Sequence, residues 1–84
     1  MAKPAALFQK LEDSPRKPLR FRDFERVLLA FGFVRVRQRG SHRVYEHCAA
    51  PRPLIIQPSG AEAKAYQQQE FLDMVAAYDL RLTE

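Results

Sequence analysis

The stretch FGFVRVRQRGSHRVY, residues 31–45, decides how this chain folds, because two glycine turns bracket an alternating segment. Gly32 follows a segment with helical spacing, and Gly40-Ser41 separates two segments that are typical of strands. The stretch therefore predicts a helix that leads into a β-hairpin. It also raises a question of function. His42 stands at the start of the return strand between two arginines, where a histidine can pack, bind a metal or carry a proton.

The segment before Gly32 predicts the first helix. Its apolar side chains recur at helical spacing, at positions 21, 24, 27, 28 and 31. Asp23 and Glu25 lie near its start, where the helix dipole favours carboxylates. Gly32 is expected to end the helix in a left-handed conformation.

Residues 33–39, FVRVRQR, predict a strand. Alternation should place Val34 and Val36 on a half-buried face and a row of arginines on the solvent face. The arginines of that row are Arg35, Arg37 and Arg39. Gly40-Ser41 then makes a tight turn into a return strand over residues 42–47.

The C-terminal half predicts a third strand and a second helix. Residues 54–57 are short and mostly apolar, and residues 65–80 have helical spacing. The buried stripe of this helix is expected at Phe71, Leu72, Val75, Ala76 and Tyr78. The chain is thus predicted to hold an α+β domain of order α-β-β-β-α over residues 21–84. In it, both helices cover one face of a three-stranded antiparallel sheet.

Residues 1–20 form an extension before this domain. Leu7, Phe8 and Leu11 predict one short amphipathic turn, while three prolines interrupt the segment. The extension is expected to be partly ordered, and it either contacts a partner or is disordered.

Composition and charge narrow the class of protein. The single cysteine, Cys48, leaves no internal disulfide, and no segment has the roughly 18 apolar residues of a membrane span. We therefore expect a soluble, cytoplasmic protein. Residues 16–43 hold nine basic and two acidic side chains, so this window carries +7 against −3 for the remainder. Such a block binds phosphate backbones or an acidic protein, unless it is only a solvated face.

This ordered set of motifs resembles the HicA toxin family. The matching pieces are Phe31-Gly32-Phe33, then Gly40-Ser41-His42 followed by Tyr45, and the segment AKAYQQQEFL of residues 63–72. The resemblance covers residues 21–80. HicA proteins are small toxins of bacterial toxin–antitoxin modules that have a double-stranded-RNA-binding-domain-like fold. They act as mRNA interferases and are blocked by a HicB antitoxin.

The resemblance implies that His42 is the active-site histidine and that Gly40 and Ser41 shape its turn. The expected partners are mRNA and a HicB-like antitoxin, with no cofactor, no metal and no membrane. Many HicA proteins carry a second histidine in a proline-containing segment after the third strand. Pro58-Ser59-Gly60 has none, so no role transfers to that segment.

RNA cleavage without a metal needs proton transfer at the 2′-hydroxyl and at the leaving 5′-oxygen, with cations around the phosphate. A histidine suits the proton transfers because its ordinary pKa is about 6.5, and the planar fork of arginine suits a phosphate. His42 is therefore expected to be the general acid or base. The expected phosphate ligands are Arg37, Arg39, Arg43 and Lys64.

Other side chains fit this chemistry less well. His47 is an odd number of residues from His42, so it points to the opposite strand face, where a role at the strand end is expected. Two histidines on opposite faces and one cysteine do not make a zinc site, and Cys48 is expected to be a buried or loop thiol. The alternatives to a ribonuclease are a non-catalytic module of the same fold that binds RNA, an inactive toxin kept for its protein partner, and an adaptor that binds only protein.

Overall fold

The computed structural model describes residues 3–83, so residues 1, 2 and 84 of the predicted extension and domain lie outside it. Within this range the elements are α1 (Pro4–Asp13), α2 (Phe21–Ala30), β1 (Val34–Arg39), β2 (His42–Glu46), β3 (Leu54–Ile56) and α3 (Ala65–Ala77). The strands form one antiparallel sheet in the order β1-β2-β3. The predicted α+β class and element order are confirmed, with α1 as a further helix in front.

Helix α2 ends at Gly32, as predicted. Gly32 has a φ of +93°, and its N–H donates to the carbonyl of Leu29 at 3.0 Å. The N–H of Phe33 donates to the carbonyl of Leu28 at 3.1 Å, which completes a Schellman motif. A Cβ at position 32 would lie 3.1 Å from Nε2 of His47, so both the backbone conformation and the available space require glycine.

Helix α1 occupies most of the extension and packs into the core. Leu7 and Leu11 are buried, and the ring of Phe8 lies 4.7 Å from that of Phe31 between centroids. Pro4 stands in the first turn, where a missing N–H costs no helical hydrogen bond. The sequence predicts only a single helical turn here, whereas α1 has ten residues. The alternative prediction that the extension is disordered is wrong for the residues of α1.

Helix α3 buries a different stripe from the predicted one. Phe71 and Met74 are buried together with Gln67 and Gln68, whereas Ala76 is exposed. The other predicted members are partly buried: Leu72, Val75 and Tyr78. The two glutamines were not predicted to be inside, and they are accommodated because their amides reach backbone groups of neighbouring segments.

Three elements end earlier than predicted. The observed last residues are Glu46 for β2, Ile56 for β3 and Ala77 for α3. α3 stops because Asp79 takes a left-handed conformation, with a φ of 51°. The N–H of Leu80 then donates to the carbonyl of Val75 at 3.0 Å and closes the helix.

Strand β1 lies at the edge of the sheet, and both of its faces are exposed. Its register with β2 shifts between Arg35 and Arg37, so Val36 forms a β-bulge. The extra residue puts Arg35 and Arg37 on opposite faces. The predicted row of three arginines on one face is therefore wrong. The prediction that the valines of β1 are half-buried is also wrong. The helices cover β2 and β3, and they leave Val34 60% exposed.

The core lies between the helices and one face of the sheet. Phe71 of α3 packs edge to face against Phe24 and Phe31, with ring centroids 5.8 and 5.3 Å apart, and β3 adds Leu54 and Ile56. Within residues 3–83, no helix packs on the opposite face of the sheet. None of the helices in residues 3–83 combines the length and the hydropathy of a bilayer span.

Candidate functional site

The GSH stretch forms the turn of the β1–β2 hairpin. Gly40 has a φ of +60°, and Ser41 does not share the positive φ, which is the pattern of a type II′ turn. A Cβ at position 40 would meet no atom within 4 Å, so only the backbone conformation requires glycine here. The turn pairs His42 directly with Arg39 across the hairpin.

His42, Arg37 and Arg39 share the face of the sheet that points away from the helices. Tyr45 is buried against the helices, so strand alternation turns Val44 and His42 the other way. Cross-strand partners share a face, which adds Arg37 opposite Val44 and Arg39 opposite His42. We call this surface the outer face; its members are Val34, Arg37, Arg39, His42, Val44, Glu46 and Ile55.

The outer face is cationic at the turn, and away from the turn it exposes aliphatic side chains together with the carboxylate of Glu46. Arg37, Arg39 and His42 are all exposed, while Val34 and Ile55 are 60% and 47% exposed. An imidazole open to solvent thus stands beside two guanidinium groups. A phosphate at this end of the sheet would meet strong cationic donors and a titratable ring together.

Arg43 does not join this cluster. It follows His42 in β2 and points to the helix side, where its guanidinium lies 4.7 Å from the ring centre of Phe21. Its Nε is 3.7 Å from Oε2 of Glu25, and the side chain is 23% exposed. The structure therefore separates Arg43 from Arg37 and Arg39, because adjacent strand residues face opposite ways.

Glu25 also binds Tyr45. The hydroxyl of Tyr45 donates to Oε2 of Glu25 at 2.6 Å. Burial raises the pKa of Tyr45 above its usual range, and the hydrogen bond to the Glu25 carboxylate adds to this effect. One carboxylate of α2 thus contacts two side chains of β2, on the helix side of the strand that carries His42.

Lys64 lies at the same end of the sheet as His42. It immediately precedes α3, and the N–H of Gln57 donates to Oε1 of Gln67 in the first turn of that helix at 3.0 Å. Gln57 follows Ile56, whose partner in β2 is Arg43. The end of β3 therefore brings the start of α3 to the His42 end of β2, with Lys64 partly buried there.

His47 has a structural role at the strand end, as the sequence predicted. The N–H of Ala49 donates to its Nδ1 at 3.0 Å, so Nε2 carries the proton and donates to the carbonyl of Phe31 at 2.7 Å. The ring also packs edge to face on Phe33. His47 thereby satisfies a carbonyl at the end of α2, which otherwise has no helical partner.

The sequence also contains a free thiol and several side chains of types that bind metals. Cys48 is exposed in the turn that follows β2. Of the two predicted environments, buried or in a loop, the loop is the one observed. In the described part of the chain, no three histidine, cysteine, aspartate or glutamate side chains are grouped to hold a metal ion.

Sequence reasoning missed two sets of residues around the site. The Glu25–Tyr45–Arg43 contacts join residues that are far apart in the chain, and the sequence carries no local signal for them. The run Gln67-Gln68-Gln69 gave no usable signal either, because glutamine is usually exposed and the run is therefore typical of a solvated helix surface. Gln67 and Gln68 of that run are buried.

Comparison with known proteins gives one match. Residues 21–74 match the family model described as the HicA toxin of bacterial toxin–antitoxin systems. The match begins with the first residue of α2 and ends within α3, so it includes the whole sheet and the outer face but not α1. The chain matches no curated protein and no solved structure at a significant level.

Proposed function

Because this chain belongs to the HicA toxin family of bacterial toxin–antitoxin systems, we propose that it is a metal-independent endoribonuclease that cleaves mRNA. One observation carries the proposal. His42 is exposed and paired with Arg39 on the outer face, with Arg37 on the same face. This arrangement joins a proton carrier to cationic groups in one accessible place.

The reaction assigns a role to each of these side chains. His42 takes the proton from the 2′-hydroxyl or delivers one to the leaving 5′-oxygen, and water carries the other of these two protons. The 2′-oxygen attacks phosphorus, the bond to the 5′-oxygen breaks, and the products are a 2′,3′-cyclic phosphate and a 5′-hydroxyl end. Arg37 and Arg39 stabilise the negative charge that grows on the phosphoryl oxygens. Lys64 contacts a neighbouring phosphate at the same end of the sheet. Arg43 is omitted, because its guanidinium faces Glu25 and Phe21.

An antitoxin partner follows from the family in general. We propose that it is a HicB-like protein that covers the outer face, since exposed aliphatic side chains beside arginines suit a protein surface as well as RNA. Blocking His42 would then be the direct result of binding.

The test compares the wild-type protein with His42→Ala and His42→Gln on mRNA. We expect cleavage to fall by roughly 10²- to 10⁴-fold in both variants, because the proton carrier is removed. End-group analysis of the wild-type products should show 2′,3′-cyclic phosphates. Glu12→Gln is the matched control, since Glu12 is exposed in α1 and lies outside the outer face. Cleavage by His42→Ala at the wild-type rate would contradict the assignment.

A non-catalytic RNA-binding module is the second candidate, and one observation favours it. The chain has two histidines, and the second, His47, is bound to the carbonyl of Phe31, so no second histidine supports proton transfer at the outer face. For a binding module, neither wild-type protein nor His42→Ala cleaves RNA, and the two bind it almost equally. Induced expression without antitoxin then causes no growth arrest, whereas an active toxin arrests growth and its His42→Ala variant does not.

A further inference from the structure

Tyr66 is an aromatic side chain that takes no part in the core. It is 66% exposed, more than any other large apolar side chain in residues 3–83. Its neighbours in α3 behave differently, since Gln67, Gln68 and Phe71 are all buried. Packing therefore does not explain why an aromatic residue stands at this position.

The ring of Tyr66 is held rather than free. Nε2 of Gln67 donates to the Tyr66 hydroxyl at 3.3 Å. The same Gln67 amide accepts the N–H of Gln57 through Oε1 at 3.0 Å. A buried amide thus links the ring to the end of β3, and a side chain ordered in advance loses less entropy when it binds a ligand.

The same contacts place Tyr66 at the His42 end of the sheet. Gln57 follows Ile56, and Ile56 pairs with Arg43, the residue after His42. Neighbouring strands lie about 4.8 Å apart, so the end of β3 is close to the start of β2. Lys64 is the N-cap residue of α3, two positions before Tyr66.

We propose that Tyr66 and Lys64 form a subsite for a nucleotide that flanks the scissile phosphate, with the base stacked on the Tyr66 ring and a phosphate on Lys64. The proposal rests on the ribonuclease function and adds a contact outside its reacting groups. Every base has a flat face, so an exposed aromatic ring binds single-stranded RNA without strict sequence preference.

The charges of the surface favour RNA over a protein as the occupant of this subsite. Lys64 precedes Tyr66 by two positions at the start of α3, and Arg37 and Arg39 lie in the half of β1 next to the turn, at the same end of the sheet. A polyanion that passes from the outer face to the start of α3 would meet cationic groups at both ends of this path. Contact of Tyr66 with the antitoxin alone is the competing occupant.

The test measures binding of a short single-stranded RNA of mixed sequence in a His42→Ala background, where the RNA stays intact. Tyr66→Ala should weaken binding roughly 5- to 100-fold, the usual contribution of one stacked base, without changing the salt dependence. Tyr66→Phe keeps the stacking ring and loses only the bond to Gln67, so it should retain most of the affinity that Tyr66→Ala loses. Lys64→Gln should lower the salt slope by about one. Leu29→Ala, which removes a 55% exposed side chain on α2, is the control.

Three outcomes separate the possibilities. If Tyr66→Ala binds RNA as tightly as its parent, the subsite is overturned. If RNA affinity is unchanged and only antitoxin affinity falls, Tyr66 is a protein contact, and the proposal is also overturned. If Tyr66→Ala loses RNA affinity while the protein with native His42 never cleaves, the subsite stands and the ribonuclease function fails.

Discussion

At the scale of single residues, Glu25 connects the outer face to the helices. Its carboxylate lies between the hydroxyl of Tyr45 and the guanidinium of Arg43, and Arg43 is adjacent to His42 in β2. The strand is thus anchored from the helix side at the residue next to the proposed proton carrier. Since Arg43 is also placed over the ring of Phe21, its side chain serves to hold β2 against α2.

Replacement of Tyr45 by phenylalanine should change the pH dependence of stability. The unfolded tyrosine ionises near pH 10, whereas burial and Glu25 raise the pKa of folded Tyr45 and keep it protonated. The stability that this hydroxyl contributes is therefore present below about pH 10 and is lost as the pH rises further. Urea unfolding at neutral pH should show Tyr45→Phe about 1 kcal/mol less stable than wild type.

The decisive comparison is the same measurement at alkaline pH. The stability difference between wild type and Tyr45→Phe should shrink above about pH 10, because only the wild type has this tyrosine to ionise on unfolding. A difference that stays constant through this range would show that burial and Glu25 do not hold Tyr45 protonated.

At the scale of elements, Gln68 joins the linker between α1 and α2 to α3. Its Oε1 accepts the N–H of Leu19 at 2.8 Å, and its Nε2 donates to the carbonyls of Pro15 and Lys17, both at 3.2 Å. The side chain is fully buried. It satisfies backbone groups of a segment with two prolines, which cannot form regular structure to pair them internally.

Gln68→Leu should destabilise the protein, because the apolar side chain leaves these linker groups without partners. We expect a loss of about 1–3 kcal/mol in the free energy of unfolding, measured by urea denaturation. Gln69→Leu is the matched control, since Gln69 is exposed and bonds only to Asp73 on the same helix. Equal stabilities of the two variants would mean that the Gln68 hydrogen bonds contribute nothing beyond those of a surface amide.

The elements also show how far the sequence predicts the fold. α2, its end at Gly32 and the hairpin turn at Gly40 depend on local spacing and on left-handed glycines, so they are visible in the chain itself. The bulge at Val36 is not, because the regular alternation of residues 33–39 carries no sign of an extra residue. This one inserted residue moved Arg35 off the face that strict alternation predicts.

Part of the candidate site could also be predicted from the sequence, and part could not. His42, Arg37 and Arg39 were recognised from the hairpin and the resemblance, and they do share a face. Arg43 was grouped with them by closeness in sequence, but neighbouring strand residues point in opposite directions. The link from the end of β3 through Gln67 to Tyr66 depends on tertiary contacts and could not be deduced from spacing.

In the whole molecule, the helices and the core lie on one side of the sheet, and the residues of the proposed reaction lie on the other. All three helices pack on one side, including α1, which lies outside the residues matched by the family model. The basic window of residues 16–43 is therefore divided, since Arg43 faces the helices whereas Arg37 and Arg39 face solvent with His42. Only the solvent-facing part is available for a polyanion.

The salt dependence of RNA binding should distinguish this local surface from net charge. Arg37→Gln/Arg39→Gln should weaken binding and lower the slope of log K against log salt by about one for each lost phosphate contact. Arg22→Gln/Arg81→Gln removes the same charge from exposed positions outside the outer face and should leave the slope nearly unchanged. Equal changes in both pairs would mean that RNA responds to the overall charge. An unchanged slope in the first pair would remove Arg37 and Arg39 from the RNA site and leave an acidic protein surface as their partner.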